Sequence, residues 1–265
     1  MQHESDVRKY FSEERRRIII DRLNKQGKVE VNELSELLNT SEVTIRGDLK
    51  KLETEGKLTR THGGAVINSQ KTFDYIFPEV VTNLARKQAI ANYALSLIND
   101  GDTIVLDTGS TTNEIARLLG AKENLTVVLY DIHIAELLER TCEAHIVLLG
   151  GSLRRGLHST VGPIATKTLS GLRVDKAFIT TGAIDQDGFS TADMFEAEIK
   201  AAAMRCAQQV IVLADSGKFD RSVFNRFADF ESADMLLTDS DISDETYEKY
   251  SGLGLKIVRA GKENA

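Results

Sequence analysis

Apolar residues recur at helical spacing in the first part of the chain, interrupted by polar and glycine positions. A first helix is predicted to start at Ser12 and to stop at Gly27, because a serine can cap a helix and a glycine can end one. A second helix is predicted over residues 33–38, with Asn32 as its N-cap. Its inward-facing residues are expected to be Leu34, Leu37 and Leu38.

A third helical pattern begins after Ser41, its expected N-cap, and ends at Gly56. Its apolar stripe consists of Ile45, Leu49 and Leu52. The segment KLTRTHGGAV then predicts a two-strand ribbon around Gly63 and Gly64. Two helices, a tight turn, a third helix and a ribbon follow the order of a winged helix-turn-helix, predicted here over residues 12–67.

The pattern changes after an aperiodic stretch, residues 68–84, that contains Pro78 and is predicted to be a linker. From residue 85 to residue 260, short runs rich in Val, Ile and Leu alternate with helical segments, as in TIVLD, LTVVLY, HIVLL and VIVLAD. Such runs indicate buried parallel strands with helices on both faces. The fold class is therefore α/β, with an N-terminal winged helix-turn-helix followed by a mostly parallel α/β domain.

The net charge of −7 alone argues against a protein that binds nucleic acid. The charge is unevenly distributed, however, because residues 1–67 carry 13 Lys and Arg against 12 Asp and Glu, and the acidic excess lies in the remainder. Five basic residues fall within residues 46–60, against three acidic ones. A local basic surface on the third helix and the ribbon is thus compatible with an acidic protein.

Cysteine usage and the N-terminus exclude several other classes. Cys142 and Cys206 are far apart and lack paired spacing, so neither a disulfide framework nor a metal site is indicated, and no cofactor is expected. The charged N-terminus lacks an apolar signal region, and no stretch reaches the length of a membrane span. A cytoplasmic protein is expected.

The third helix carries the residues expected to contact DNA. At about 100° per residue, the face opposite the apolar stripe holds Val43, Gly47, Lys50 and Thr54, with Thr44, Arg46 and Lys51 at its flanks. In a helix-turn-helix the second of the two helices lies in the major groove. The candidate DNA contacts are Ser41, Val43, Thr44 and Arg46 at the start of the helix, Lys50 and Lys51 as phosphate anchors, and Arg60 and His62 on the ribbon. A protein-interaction module with an ordinary charged face is the alternative.

A loop in the second domain has the composition of an anion site. In DTGSTTNEIARLL a strand ends at Asp107, and Gly109, Ser110, Thr111 and Thr112 lead into a helix, so that backbone N–H groups converge at a positive helix end. A second glycine turn, at Gly151, is followed by Arg154 and Arg155, either of which can supply a charge partner or lie on the surface. Many such loops serve only to cap the helix, so composition alone leaves both interpretations open.

Charged residues recur near the ends of later strands. Asp185 follows a strand, Glu196 and Lys200 share one face of a helix, and Asp215 and Lys218 follow the run VIVLAD. Spacing alone favours a surface ion pair for Glu196 and Lys200. Asp215 and Lys218 lie where open α/β sheets place their ligands, at the carboxyl end of a strand.

The segment SEVTIRGDLKKLETEGKLTRTHGGAV resembles the N-terminal signature of the DeoR family of bacterial transcription regulators. That pattern is Ser-x-x-Thr-Ile-Arg-Arg-Asp-Leu, then Leu-Glu, then Gly-x-Leu-x-Arg-x-His-Gly-Gly-Ala. The chain departs from it at Gly47, which stands in place of a second arginine, and at Asn39, where glycine is frequent. Tyr130 and Asp131 replace a Thr-Asn pair farther along. The likeness extends over about residues 13–260.

The resemblance implies a function as well as a fold. It implies a sequence-specific regulator that is expected to repress a sugar-catabolism operon. The regulator is expected to bind operator DNA as a homo-oligomer and not to bind a membrane. The resemblance also implies an effector domain similar to ribose-5-phosphate isomerase, which binds a phosphorylated sugar or related metabolite without turnover. The phosphate is then expected at residues 109–112, and the sugar hydroxyls near Asp107, Asp185, Glu196, Lys200, Asp215 and Lys218.

An enzyme is the alternative function. In a sugar-phosphate isomerase with a fused helical module, Glu196 or Asp185 would be the general base and Lys218 would stabilise the enediolate. The DNA-reading segment decides against this alternative, because an isomerase needs neither Arg46 nor the ribbon.

Overall fold

The computed structural model describes residues 10–26, 28–54, 57–61, 63–66 and 83–261. They fall into two compact units, one within Met1–Thr72 and the other within Phe73–Ala265. Most of the predicted linker, together with Gly27, Gly56 and His62, lies outside the described residues.

The N-terminal unit is a winged helix-turn-helix, as the apolar pattern predicts. One helix precedes a short first strand, two helices follow it, and the last two strands form the wing. Strand order is β1-β3-β2, and both pairings are antiparallel. The elements are α1 Ser12–Gln26, β1 Lys28–Glu30, α2 Val31–Leu37, α3 Glu42–Thr54, β2 Thr59–Arg60 and β3 Gly64–Val66.

The core of this unit confirms the predicted stripe of α3. Ile45, Leu49 and Leu52 are at most 1% exposed and pack with apolar residues of α1, α2 and the strands. The prediction for α2 is partly wrong, because Glu30 rather than Asn32 is its N-cap and Leu37 is 46% exposed. Val31 takes the inward position instead, since the helix starts two residues earlier than expected.

The second unit is a parallel α/β sheet. Its seven strands have the order β15-β14-β12-β9-β4-β5-β6, and every pairing among them is parallel. The strands of this sheet are β4 Thr103–Leu106, β5 Thr126–Leu129, β6 His145–Leu148, β9 Val174–Thr180, β12 Ala207–Leu213, β14 Met235–Asp239 and β15 Ile257–Ala260. The helices are α4 Leu84–Ser96, α5 Ser110–Leu118, α6 Ile132–Thr141, α7 Pro163–Ser170, α8 Met194–Cys206 and α9 Asp244–Gly252.

Helices cover both faces of this sheet. Successive residues of a strand point to opposite faces, and accordingly Val105 lies in one apolar cluster whereas Ile104 and Leu106 lie in the other. The first cluster includes residues of α7, α8 and α9, and the second includes residues of α4, α5 and α6. The predicted fold class is confirmed.

Two smaller antiparallel elements are additions that the sequence pattern did not predict. The hairpin of β7 Ser152–Arg154 and β8 Ser159–Val161 follows the second glycine turn. A three-stranded sheet is formed by β10 Ala183–Asp185, β11 Gly188–Thr191 and β13 Asn225–Ala228. Among the described residues, no helix is long and apolar enough to cross a membrane.

Candidate functional site

The start of α3 is fixed by a hydroxyl cap. The Thr44 backbone N–H donates to Ser41 Oγ at 3.3 Å, and the two hydroxyl oxygens lie 2.9 Å apart. This is the cap predicted for Ser41. Asn39, in the preceding turn, has φ +44°, a left-handed conformation that asparagine tolerates better than most residues. The turn therefore forms without the glycine that is frequent there in the DeoR signature.

The exposed face of α3 carries the predicted DNA contacts. Val43 is 80% exposed, and Gly47, Lys50 and Lys51 are exposed as well. Arg46 is half-exposed, and its Nη2 lies 3.0 Å from Glu42 Oε2, one turn earlier. An exposed pair at this spacing contributes only ~0.3–0.5 kcal/mol, so the guanidinium can leave Glu42 at little cost.

Asp48 is a residue whose role the sequence did not reveal. It is 5% exposed and lies 2.8 Å from Arg15 Nε and 3.4 Å from Arg16 Nη1. The two arginines belong to α1, so this carboxylate ties α3 to the first helix. An acidic residue at the edge of an apolar stripe is the only sequence signal for such a contact, because its partners lie more than thirty residues away.

The wing is held close to β1. A side chain on Gly64 would place its Cβ 1.9 Å from the Val29 carbonyl oxygen, so only glycine fits there. Arg60, a predicted wing contact, is exposed, and its backbone N–H donates to Glu53 Oε1 at 3.0 Å. This bond connects the wing to the end of α3. The placement of His62 lies outside the described residues.

In the second unit, polar residues collect at the carboxyl ends of the parallel strands. Asp107 follows β4, Tyr130 and Asp131 follow β5, Thr180 ends β9 and Asp215 follows β12. All five belong to neighbouring strands of one sheet. The sequence predicts ligand binding at this edge, and the following groups lie there.

Asp107 is the centre of a closed, buried cluster. It is fully buried and accepts hydrogen bonds from the Thr180 N–H at 2.7 Å and the Thr180 hydroxyl at 2.6 Å. The Tyr130 hydroxyl and Lys200 Nζ also donate to it. Four donors occupy this carboxylate, so Asp107 supports its neighbours, and a sugar hydroxyl would have to displace one of them.

Lys200 is the cation of that cluster. It is 1% exposed, and its Nζ lies 3.2 Å from Glu196 Oε1 as well as against Asp107. Burial alone would lower the pKa of Lys200, but the carboxylates of Asp107 and Glu196 together raise it above its ordinary value. The interpretation of Glu196 and Lys200 as a surface ion pair is therefore wrong for the lysine.

Tyr130 and Asp131, the residues that depart from the family pattern, both have structural partners. Burial, followed by the nearby Asp107 carboxylate, raises the pKa of Tyr130 well above its ordinary value, which keeps the phenol protonated as a donor. Asp131 caps α6 by accepting from the His133 and Ile134 N–H groups. It also accepts from the Thr108 hydroxyl at 2.6 Å. These bonds join the ends of β4 and β5.

The glycine loop has the geometry of an anion site. Gly109 has φ +138°, and α5 starts at Ser110. The first intrahelical bond joins the Asn113 N–H to the Gly109 carbonyl oxygen, so the N–H groups of Ser110, Thr111 and Thr112 have no acceptor within the helix. These N–H groups form the positive end of the helix dipole, where an anion is stabilised.

Lys87 on α4 is a second residue that the sequence did not single out. It is 8% exposed, its backbone N–H donates to the Asn83 carbonyl oxygen, and its ammonium has neither a hydrogen bond nor an ion pair with any residue in the described part of the chain. Burial lowers its pKa, and the charges of Asp215, Lys218 and Glu114 act on it from nearby. Since α4 packs against α5, this unpaired ammonium lies on a helix next to the one that follows the glycine loop.

Asp215 and Lys218 follow the carboxyl end of β12. Asp215 is 5% exposed, and its carboxylate accepts from the Gly217 N–H at 3.1 Å. The turn that it caps, Ser216–Lys218, contains the predicted cation. The charges of both residues act on the pKa of Lys87. Asp239 links the two segments, because its carboxylate accepts from the Ser216 N–H and lies 3.8 Å from Arg86 Nε, next to Lys87 in the chain.

Arg154 reaches across to α8. Its guanidinium nitrogens lie 3.2 Å from Asp193 Oδ2 and 3.5 Å from Glu196 Oε2, and all three side chains are less than one-fifth exposed. The β7–β8 hairpin makes this contact possible, and Gly151 makes the hairpin possible, because a Cβ there would lie 2.5 Å from the Val161 carbonyl oxygen. Arg154 and Glu196 thus belong to one partly open polar group next to Lys200.

Within the described part of the chain, no hydrogen bond or ion pair joins Asp185 to these groups. Its carboxylate accepts from the Asp187 N–H at 2.9 Å within the turn between β10 and β11. Among the described residues, moreover, no group of three or more His, Cys, Asp and Glu residues is arranged to hold a metal ion.

A winged helix with an exposed recognition helix, carried on the same chain as an α/β unit with unpaired polar groups at its sheet edge, defines a DNA-binding protein with a separate sensor unit. Family models agree with this division. Residues 15–71 match the DeoR-like helix-turn-helix domain, and residues 82–240 match the DeoR C-terminal sensor domain. The chain belongs to the DeoR family of transcriptional regulators.

Several transcriptional regulators are similar to this chain along nearly their whole length. A protein of Escherichia coli O157:H7 named for repression of the aga operon is 35% identical, and the match covers 94% of each chain. The transcriptional repressor GlcR of Bacillus subtilis is 33% identical over 88% of this chain and 93% of its own. The lactose phosphotransferase system repressor of Lactococcus lactis is also 33% identical, with the same coverage. The chain is accordingly a regulator and not an enzyme.

Among solved structures, ribose 5-phosphate isomerase A of Methanocaldococcus jannaschii aligns over 52% of this chain and 55% of its own, with a TM-score of 0.39 and 20% identity. This likeness is too small to carry a conclusion. The isomerase-like architecture of the sensor unit stays a prediction.

Proposed function

We propose that this regulator represses a sugar-catabolism operon and that a phosphorylated sugar, bound by the sensor unit, controls its affinity for the operator. The observation that carries the effector part is Lys87, a largely buried lysine whose ammonium has no partner among the described residues, on a helix packed against the helix that follows the glycine loop. A buried unpaired charge is costly, and an anionic ligand would offset that cost.

On the DNA side, the reading surface is the exposed face of α3. Arg46 is proposed to make a bidentate contact to guanine and Thr44 to reach a base edge or a phosphate. Ser41, Lys50 and Lys51 would fix the register through phosphates, and Arg60 and His62 of the wing would reach the backbone or the minor groove. The exposure of Arg46 and of both lysines supports this assignment.

On the effector side, the phosphate would accept from the N–H groups of residues 110–112, with Lys87 and Lys218 as its counter-charges. The sugar hydroxyls would meet Glu196 and Arg154, which border the buried cluster, and Asp215, whose charge acts on Lys87. Asp107 and Lys200 would act as positioning residues, because their donors and acceptors are already engaged. Sugar names occur among the relatives, as in the repressor of a lactose phosphotransferase system, and they support the sugar class.

The DNA part is tested by selecting bound duplexes from a randomised library and measuring the affinity of the enriched duplex by fluorescence anisotropy. Arg46→Ala should weaken binding by about 5- to 150-fold, since a bidentate guanine contact contributes ~1–3 kcal/mol. Arg140→Ala is the matched control, because Arg140 forms the same kind of exposed i,i+4 pair on α6. Equal affinities for both variants would contradict the assignment.

The effector part is tested by a thermal-shift screen of pentose and hexose phosphates. A ligand at 100 times its dissociation constant should add ~2.7 kcal/mol to the free energy of unfolding. Lys87→Met should abolish the shift, whereas Lys167→Met, an exposed lysine on α7, should leave it unchanged. If an effector stabilises wild type and Lys87→Met equally, Lys87 does not bind its phosphate.

A further inference from the structure

An uncharged strip runs along the exposed face of α3. Val43 and Gly47 are one helical turn apart, and both lie opposite the buried stripe of Ile45, Leu49 and Leu52. Val43 is 80% exposed, one of the most exposed large apolar side chains in the described part of the protein. An exposed valine followed by a glycine forms a shallow apolar surface in the middle of the face expected to meet DNA.

The fold itself does not need glycine at position 47. A Cβ built there meets nothing within 4 Å, and the residue has an ordinary helical conformation. Gly64 is the opposite case, since its Cβ would collide with the Val29 carbonyl oxygen at 1.9 Å. Glycine is the least favourable residue after proline in a helix interior. The helix therefore gives up stability at position 47 without any gain within the described protein.

Charged groups flank the strip without covering it. Arg46 is drawn to the side by Glu42, with 3.0 Å between the guanidinium and the carboxylate. Lys51 lies on the other flank, and Lys50 lies about one turn beyond Gly47, at the C-terminal end of the strip. This pattern suits a base-pair edge with an apolar group at its centre and phosphates farther out.

We propose that Val43 and Gly47 form a seat for the 5-methyl group of a thymine in the major groove, and that the absence of a side chain at position 47 lets the helix backbone approach that base pair. The proposal rests on the proposed function, in which α3 enters the groove. Thymine is the only one of the four bases with an apolar group on its major-groove edge. Any other base would press a polar edge against the strip and leave that edge without its water.

The thymine methyl can be removed without any other change in the DNA. Each thymine of the enriched duplex is replaced in turn by deoxyuridine, and binding of the full-length protein is measured by anisotropy. For wild type, one position should lose about fourfold in affinity, which corresponds to ~0.8 kcal/mol for one buried methyl group. If no deoxyuridine substitution weakens wild type, the proposal is overturned.

The variant Gly47→Ala provides the second arm. Its added methyl group should weaken binding to the thymine duplex at least tenfold, and the deoxyuridine duplex should restore most of that loss, because the two methyl groups compete for the same space. The thermal midpoint of the variant should rise, since alanine favours the helix. Gly252→Ala on α9 is the matched control, because its Cβ also meets nothing within 4 Å and it lies in the other unit.

The outcomes distinguish the thymine seat from DNA reading by α3 in general. If Gly47→Ala binds the thymine duplex as tightly as wild type does, the close approach of the backbone is refuted while DNA reading by α3 stands. If the library yields no enriched sequence at all, the proposed function fails, and the thymine seat fails with it. Weakening by Gly47→Ala with rescue by deoxyuridine supports both.

Discussion

At the scale of single residues, the sensor unit depends on how its buried charges are paired. Lys200 and Asp107 are at most 1% exposed, and neither would be tolerated alone, because an isolated buried ion loses its hydration without compensation. Thr180, Tyr130 and Glu196 supply the remaining hydrogen bonds. Lys87 differs, because its side chain is less deeply buried, at 8% exposed, and its ammonium has no ion-pair partner among the described residues.

Removal of the cation from the paired cluster should therefore be strongly destabilising. Lys200→Met is expected to cost ~3–5 kcal/mol of unfolding free energy, measured by urea denaturation, because Asp107 is left as a lone buried charge. Adding Asp107→Asn should recover part of the loss. Lys249→Met removes the cation of an exposed pair with Asp220 and should leave the midpoint nearly unchanged. Equal losses for the two lysines would contradict the assignment of a buried cluster.

Lys87→Met should have the opposite effect in the absence of ligand. Burial lowers the pKa of Lys87 in the folded protein below the ordinary value of 10.5, so the folded state disfavours the ammonium form. Below the lowered pKa the charge costs stability, and as pH rises through that pKa the folded state loses the proton and the cost declines. Lys87→Met should thus be more stable than wild type at neutral pH, with a difference that shrinks toward alkaline pH. A variant less stable than wild type at neutral pH would show that the folded protein stabilises the ammonium.

At the scale of elements, the recognition helix is oriented by a contact with the first helix. Asp48 of α3 meets Arg15 and Arg16 of α1, and a hydroxyl cap fixes the start of α3. The periodicity of the sequence predicted the apolar stripe of α3 correctly, because Ile45, Leu49 and Leu52 repeat at helical spacing. It could not predict the Asp48 contact, which joins residues distant in sequence, or the outward position of Leu37, which depends on where α2 begins.

Loosening this contact should affect both stability and DNA binding. Asp48→Asn is expected to lower the unfolding free energy of the N-terminal unit by ~1.5–3 kcal/mol, the contribution of a hydrogen bond to a charged group. Operator affinity should fall as well, since α3 is no longer held against α1. Glu36→Gln removes the same charge from an exposed position on α2 and serves as control. Thermal unfolding and anisotropy measure the two effects, and identical behaviour of both variants would refute the orienting role.

In the sensor unit, too, the sequence predicted the regular elements but not the contacts between distant residues. Apolar runs predicted the parallel strands, and the position of ligand groups at their carboxyl ends follows from the topology of open α/β sheets. The burial of Asp107 and Lys200 was hidden, because charged residues at strand ends and on helices are usually exposed. Arg154 reaches Glu196 only through the β7–β8 hairpin, which is too short to give a clear pattern. Lys87 sits in an ordinary helical segment, and only packing shows that it lacks a partner.

At the scale of the whole molecule, regulation requires coupling between two units that each have their own core. An effector changes operator affinity only if it binds the two functional states of the protein with different affinity. The effect is reciprocal, so operator DNA must change effector affinity by the same factor. The homo-oligomer stays a prediction, and sedimentation of the free protein measures it.

The most direct test of the central claim is the affinity of the enriched duplex, measured with and without each stabilising sugar phosphate. At least one sugar phosphate should change the dissociation constant of the duplex by ~5–150-fold in wild type, the usual range of coupling between two sites. The change should vanish in Lys87→Met and persist in Lys167→Met. Operator affinity that is the same with and without every sugar phosphate that stabilises the protein would contradict control of DNA binding by such an effector.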